Sequence, residues 1–495
     1  MHLPQPDPTI LARRAAIISG LTALLPPGSV IADDDSLAVY DCDALTAIRQ
    51  KPMAVVLPAD AEEIAKVLRF CRDERVNIVP RGAGTSLSGG STPLGDGILL
   101  VTARLNRILE VDYENRCAVV QPGVTNLAIT RAVEERGFYY APDPSSQLAC
   151  SIGGNVAENS GGIHCLKYGI TTNNLLGVEL VTIDGEIIRL GGKGGAMSGY
   201  DLIGIVTGSE GLLGMVTEVT VRILPKPAAV RALLIGFPSI EAAGAAVAET
   251  IAQGIIPAAM ELMDRMTVEA VEAYCGAGYP QDAEAVLIAE LDGTAGEVDA
   301  LILRLEDIAG AKGATSGRVS ADEAERLRFW SGRKAAFPAT GRIAPDMLCM
   351  DGTIPRRELP AVLHRIRELS ADYALPVANV FHAGDGNLHP LILYDVMKPG
   401  DLEKAEAFGA DILRLCVEVG GVLTGEHGVG VEKRDLMPAM FDEADLAQQM
   451  RVKCAFDPSH RLNPGKVFPV LHACAELGAV HVHKGEFAHP EIPRL

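Results

Sequence analysis

The chain has 495 residues, 48% of them apolar and 22% charged, a composition that supports large buried cores rather than a disordered or fibrous chain. Lysine plus arginine number 44 against 64 aspartate plus glutamate. The resulting formal net charge of −20 excludes a nucleic acid or an anionic membrane as the main partner, because both need a basic surface. The ten cysteines are dispersed, with no C-x-x-C pair and no iron–sulfur spacing. They read as free thiols in a reducing cytoplasm, in a chain without an electron relay of its own.

Arg13-Arg14 and the apolar run after it mimic a short secretory signal, but Ser19, Gly20 and Thr22 interrupt the run and no A-x-A site follows. Ile10, Ile17, Leu21 and Leu24 instead share one side of a helix packed on the body. Residues 61–75 read as a helix capped by Asp60, with Glu63 three residues on and Ile64, Val67, Leu68 and Cys71 on one face. A short strand at 76–79 feeds a glycine-rich loop at 80–90. A second helix covers 126–136 and ends at Gly137. Strands at 178–183 and 186–190 flank Asp184-Gly185, a tight-turn pair. No stretch is long and apolar enough to span a bilayer; 202–221 comes nearest, and it carries Glu210, Glu218 and four glycines.

Composition shifts near Pro225-Lys226-Pro227. Beyond it come longer helical periods at 239–253, 297–309, 320–336 and 402–418, with apolar strands such as 285–291 and 376–381 between them. The reading is an α+β chain with an N-terminal helical segment at 1–47, a first domain at 48–227, a second domain at 228–469 and a tail at 470–495 that holds Cys474, His481, His483 and His489.

Four groups of residues carry chemistry. The loop opening Arg81-Gly82-Ala83-Gly84-Thr85-Ser86 offers backbone N–H groups with almost no side-chain bulk, a nest for an anion such as a pyrophosphate. Leu87 stands where the dinucleotide fingerprint needs its third glycine, which speaks against an NAD-dependent enzyme. Small and hydroxylated residues at 142–146, 150–155, 159–162 and 167–169 suit the path of an extended cofactor. His382 and His389 flank a glycine-rich turn, and Glu426-His427 lies between glycines. Two imidazoles and a carboxylate form a divalent-metal set with open positions. In Trp330-Ser331-Gly332-Arg333, the guanidinium suits bidentate capture of a carboxylate. On the residues alone, plainer roles remain open: a structural turn, histidines that cap turns, an arginine on a helix surface.

The loop at 80–90, the segment S-I-G-G-N-V-A-E-N-S-G-G and the run T-G-S-E-G-L-L-G from Thr207 resemble the FAD-binding half of the vanillyl-alcohol-oxidase-type flavoproteins. The segments around His382 and Glu426 resemble the C-terminal domain of the FAD-linked D-2-hydroxyacid dehydrogenases. Within that family, S-S-Q-L-A-C-S-I-G-G-N-V-A-E-N, C-M-D-G-T-I-P-R-R and N-V-F-H-A-G-D-G-N-L-H-P-L-I-L are most similar to the FAD-linked D subunits of bacterial glycolate oxidase (glycolate dehydrogenase), over nearly the whole chain. The resemblance implies a PCMH-type FAD-binding domain followed by an FAD-linked-oxidase cap domain.

It carries FAD contacts onto Arg81, Gly82, Ala83, Gly84, Thr85 and Ser86; onto Pro144, Ser145, Gly153, Gly154, Asn155, Asn159, Gly161, Gly162, Tyr168 and Gly169; and onto Glu210, Gly211, Gly214, Val216 and Asn463. Relatives often attach FAD covalently through His or Cys. His164 and Cys165 lie near that region, yet the motif context resembles the non-covalent branch, so dissociable FAD is expected and His164 reads as a structural histidine. The resemblance makes His382, His389 and Glu426 ligands of a divalent metal (zinc, with manganese or iron as alternatives), His427 the general base and Arg333 the anchor of the substrate carboxylate. Relatives acting on larger diacids carry a Lys just before Asp351 and an Asn two residues beyond the second His. Cys349-Met350 and Leu391 stand there instead, against a second carboxylate on the substrate.

The implied reaction is oxidation of glycolate, or a short D-2-hydroxy acid, to glyoxylate or the 2-oxo acid by hydride transfer to flavin. The implied partners are a second FAD-binding-type subunit and an iron–sulfur subunit that passes electrons towards quinone. The chain itself is expected to be cytoplasmic, reaching a membrane only through those subunits. Two alternatives stay open: a stand-alone D-lactate dehydrogenase and a non-catalytic flavin-carrying assembly subunit. One methyl group discriminates by only about 1–3 kcal/mol, so glycolate and D-lactate are not separated by sequence.

Overall fold

The computed structural model describes residues 1–194 and 199–469, with the strand pair Val482–His483 and Glu486–Phe487. Cys474, His481 and His489 of the tail lie outside the described residues. The N-terminal segment forms helices Pro8–Leu11 and Arg14–Leu24, which bury Ile10, Ile17 and Leu21. Leu24 is 39% exposed, so the apolar stripe ends one turn sooner than expected. The helix at 61–75 is Ala61–Asp73, capped where Asp60 accepts a hydrogen bond from Glu63 N at 2.8 Å. The helix at 126–136 is α-helical only over Asn126–Val133; Glu134–Arg136 tightens into a 3₁₀ turn before Gly137 takes φ 76°.

Two sheets make the first half. Val30–Ile31, Ala54–Val56, Gly97–Val101 and Asn77–Arg81 form one, in that spatial order, with the last three parallel. Ala54–Val56 and Gly97–Val101 are buried throughout, as central parallel strands covered on both faces must be. Ile108–Asp112, Cys117–Val120, Met215–Arg222, Leu175–Val181 and Ile187–Gly191 form an antiparallel sheet. The expected hairpin is its last pair, turned by Gly185 at φ 74°. The 202–221 stretch resolves into helix Leu202–Val206, glycine turns and the strand Met215–Arg222. Among the described residues no helix is long and apolar enough to cross a membrane.

The second half is a seven-stranded sheet ordered Ser316–Val319, Ala229–Phe237, Ala285–Gly293, Ala259–Asp264, Val377–Phe381, Pro390–Tyr394, Asp346–Cys349. Its side chains alternate between two cores. Met260, Leu262, Leu287 and Leu291 face the core shared with helices Ile240–Ala252, Ala295–Ala311, Leu359–Tyr373 and Asp401–Glu418. Ala259, Met263, Val286 and Ile288 face helices Arg265–Cys275 and Glu323–Thr340. By the same alternation, Glu261 and Glu290 stand on the face under Glu323–Thr340. The chain then returns to the first half: Ile78 N donates to Arg461 O at 2.8 Å, and Asn463 N donates to Ile78 O at 2.7 Å.

Candidate active site

A cleft of about 480 Å³ is lined by both halves. On the first-half side its wall is mostly backbone and small side chains: Arg81 to Ser86, Pro144, Ser145, Gly153, Gly154, Asn155, Glu210, Gly211, Gly214 and Val216. Gly82 is dictated by close approach. A Cβ there would stand 2.1 Å from Oγ of Ser151, the N-cap of helix Ile152–Glu158. Amide-rich loops beside hydroxyls, with little side-chain bulk, fit an extended cofactor with a central pyrophosphate. Glu158 lines the same wall, and its Oε2 lacks a partner among the described residues. Burial, reinforced by the nearby Glu210, raises its carboxyl well above the ordinary range.

Six expected FAD contacts lie behind this wall instead of on it. Asn159 is a left-handed helix C-cap whose Oδ1 accepts from Thr172 N at 2.9 Å. Gly161 gives room to the metal-type cluster, since a Cβ there would meet Glu426 Oε2 at 2.5 Å. Gly162 packs on the Asp143 backbone and Gly169 on Asn173. Tyr168 donates its hydroxyl to Asp292 of the other half. Asn463 ties Gly90 O (2.9 Å) to Glu210 O (2.7 Å).

The second-half wall is built from charged side chains. Helix Glu323–Thr340 presents Arg326, Trp330, Arg333 and Phe337 at a spacing of about one helical turn, a stripe along one side. Glu290 accepts from Arg326 Nη1 at 2.6 Å and from Trp330 Nε1 at 2.5 Å. Arg333 is 1% exposed; its Nε donates to Glu261 Oε2 at 2.6 Å, while Nη2 has no partner among the described residues. Arg333, Lys334, Phe337 and Pro338 all line the cleft.

His382 follows strand Val377–Phe381, and His389 precedes strand Pro390–Tyr394, so the sheet itself brings the two imidazoles together, edge to face with centroids 5.0 Å apart. Glu426 Oε1 lies 3.2 Å from His382 Nε2 and 3.4 Å from His389 Nε2. One donor atom from each of these three residues lies within 4.8 Å of the others. His389 Nε2 is buried without a hydrogen bond among the described residues, with Asp351 Oδ1 3.5 Å away on its other side. A lone pair left idle there beside a carboxylate is what a cation ligand requires, so the donor set fits a divalent metal. Burial works against charging His382, but Glu261 and Glu426 on either side raise its pKa well above the usual value. Burial also opposes ionisation of Glu426, and His382 more than offsets it, bringing the carboxyl down to about 2. His382 sits behind the cleft surface, whereas His389, Glu426 and His427 line it.

A second trio, Asp351, His389 and His427, is equally close, but Asp351 is already saturated. It accepts from the backbone N–H groups of Gly425 (3.0 Å), Glu426 (3.1 Å) and His427 (2.9 Å), from Thr424 Oγ1 (2.6 Å) and from Lys433 Nζ (3.2 Å). Asp351 and Lys433, both 0% exposed, organise the Gly-Glu-His-Gly loop instead. His427 stacks on His389 at 4.9 Å, and its Nδ1 has no partner among the described residues. Burial drives its pKa down to about 4, against the pull of Asp351, so the imidazole is neutral at physiological pH.

His164, expected to be structural, is clamped across the seam: Nδ1 to Asp143 at 2.8 Å and Nε2 to Glu290 at 3.0 Å. Neither it nor the buried Cys165 lines the cleft. Glu261, Glu290, Asp351 and Lys433 are not singled out by sequence reading. The signals for Glu261, Glu290 and Lys433 are an acidic residue inside a mostly apolar strand and a lysine shortly after the Gly-Glu-His-Gly loop; Asp351 falls between strands Asp346–Cys349 and Gly352–Thr353.

Comparison with known proteins agrees with this architecture. An FAD binding domain family model matches residues 52–191, and the model for the C-terminal domain of FAD linked oxidases matches residues 226–467. The glycolate oxidase subunit GlcD of Escherichia coli K12 is 54% identical over 97% of this chain and 97% of that protein. A D-lactate dehydrogenase of Anaerostipes hadrus is 32% identical over 88% of this chain and 91% of that protein. The crystal structure of p-cresol methylhydroxylase with substrate bound superposes with a TM-score of 0.78 at 17% identity, covering 94% of this chain and 98% of the other. The chain therefore belongs to the glycolate oxidase D-subunit family of FAD-linked oxidases, and is an FAD-dependent oxidoreductase of 2-hydroxy acids.

Proposed function

We propose that the chain is the catalytic subunit of a glycolate oxidase, converting glycolate to glyoxylate with dissociable FAD and a divalent metal, zinc before manganese or iron. The observation that carries this is the unpartnered Arg333 Nη2, buried in the same cleft as His389, Glu426 and His427. An unsatisfied guanidinium edge is a site for an incoming carboxylate. FAD held along Arg81 to Ser86, Gly153, Gly154 and Gly211 would supply the hydride acceptor for the substrate carbon. A cation, when held by His382, His389 and Glu426, supplies Lewis acidity at the substrate hydroxyl. Arg333 fixes the carboxylate end. His427, neutral and with Nδ1 free, receives the hydroxyl proton.

The packing behind Phe337, which lines the cleft beside Arg333, supports a small substrate. Cys349 pairs across strands with Leu391, and both join Ala378 and Leu393 in an apolar cluster against which Phe337 packs. That cluster offers no partner for a second carboxylate, while Lys334 lines the cleft itself beside Arg333. His164 has both ring nitrogens engaged, which supports non-covalent FAD. Electrons then leave through a second FAD-binding-type subunit and an iron–sulfur subunit towards quinone, in the cytoplasm; the dispersed free cysteines support a relay outside this chain. The test is an anaerobic absorbance spectrum of the FAD-loaded chain. Glycolate is expected to bleach the flavin. Faster bleaching by D-lactate would move the reading to a D-lactate dehydrogenase, and no bleaching by either acid would overturn it.

A further inference from the structure

One carboxylate links the metal-type cluster to the carboxylate anchor. Glu261 lies mid-strand in Ala259–Asp264 and is 0% exposed. Its Oε1 accepts from His382 Nδ1 at 2.7 Å, and its Oε2 accepts from Arg333 Nε at 2.6 Å. The strand Ala259–Asp264 pairs with Val377–Phe381 through Leu262 and Phe381, which brings His382 alongside. Strand alternation turns Glu261 towards helix Glu323–Thr340, which brings Arg333.

Each hydrogen bond has a directional consequence. An imidazole whose Nδ1–H is held by a carboxylate gives up its Nε2 proton to bind a cation, and His382 Nε2, now bonded to Glu426 Oε1 at 3.2 Å, is the atom that would do so. A guanidinium gripped through Nε keeps its Nη edge free, and Arg333 Nη2 is the unpartnered atom. We infer that Glu261 is a positioning residue for both groups. It locks the His382 tautomer that a cation needs and aims the Arg333 edge that a substrate carboxylate needs. One side chain thus sets the spacing between the hydroxyl-binding and carboxylate-binding ends of the site. This rests on the metal and Arg333 assignments proposed above.

An amide cannot replace Glu261, because it offers one acceptor where two donors converge. Arg333, the charged donor, keeps the carbonyl oxygen; the amide N–H then faces His382 Nδ1 and drives its proton to Nε2. The experiment uses FAD-loaded protein stripped of metal by a chelator and titrated with Zn²⁺. Glu261→Gln is expected to weaken Zn²⁺ binding about 10- to 100-fold, the usual cost of losing such an outer partner. Glu261→Asp keeps the charge but withdraws both oxygens. It is expected to weaken Zn²⁺ and also to raise KM for glycolate about tenfold, measured at saturating Zn²⁺.

A merely structural Glu261 would lower the melting temperature and leave both readouts in place. Zn²⁺ affinity and KM within twofold of wild type in both variants would overturn the inference, as would wild type that binds no Zn²⁺. If wild type binds Zn²⁺ yet glycolate fails to reduce its flavin, the substrate reading falls while the Zn²⁺ titration still decides the role of Glu261.

Discussion

The two walls of the cleft are made of different materials. The N-terminal wall is largely backbone and small side chains, as at Gly82, Gly84 and Gly154. The C-terminal wall is charge: Arg333, Glu426 and two histidines, each set by a buried partner such as Glu261 or by the loop that Asp351 and Lys433 hold. A backbone wall needs only room and a fixed loop, because its donors are already part of the chain. A charged wall needs a counter-charge for every ion it buries, so its support reaches deeper than its surface. The first wall suits a large cofactor that stays in place. The second suits a small anion that must be oriented and then released.

Breaking the supports of the charged wall should cost most. Lys433→Met strands Asp351, whose pKa is held well below the usual range against burial by His427 and Lys433. The expected loss is about 3–5 kcal/mol in denaturant unfolding; a loss within 1 kcal/mol would show that the loop is held some other way. Arg333→Ala should reduce kcat/KM for glycolate by about 1.5–3 kcal/mol, read mainly as a raised KM with FAD retained. An unchanged KM would remove Arg333 from the anchor role.

Gly161→Ala crosses the comparison, because the residue belongs to the N-terminal half but makes room for Glu426. It should weaken metal binding about 10- to 100-fold while FAD content stays at the wild-type level. Loss of FAD without loss of metal would return Gly161 to the cofactor wall.

The smallest effect is expected at the seam. Burial opposes the charge on His164, but Asp143 and Glu290 raise its pKa well above the ordinary value. A raised folded-state pKa adds stability that is fully present below the unfolded histidine pKa of about 6.5 and is lost as pH rises through the folded value. His164→Gln should therefore cost on the order of 1 kcal/mol near pH 6 and less in alkaline solution. Thermal melts across that range check it, and a pH-independent difference would contradict a charged His164.

The two walls also differ in how much of them could be read in the sequence. Glycine clusters at 82–90 and 153–162 stand out because few other roles call for so many residues without a side chain. Asn159, Gly161, Gly162 and Gly169 share that pattern and pack behind the residues that line the cleft. His382, His389, Glu426 and Arg333 were legible as chemistry at glycine-bounded or Trp-marked positions. Glu261 and Glu290 were not. Each is an acidic residue inside a mostly apolar strand that carries a second one, and its partners lie 72 and 121 residues away for Glu261 and 126, 36 and 40 for Glu290. Local pattern reports which face a residue takes, and only the assembled sheet and helix report what it meets there.

The most direct test of the account is anaerobic stopped-flow reduction of the bound flavin by glycolate, comparing wild type with His427→Ala. The account predicts that wild type bleaches, and that the variant keeps its FAD and loses about 10²- to 10⁴-fold in the reduction rate. Equal rates in the two proteins would remove the proton acceptor from the proposed mechanism and contradict the role of the charged wall.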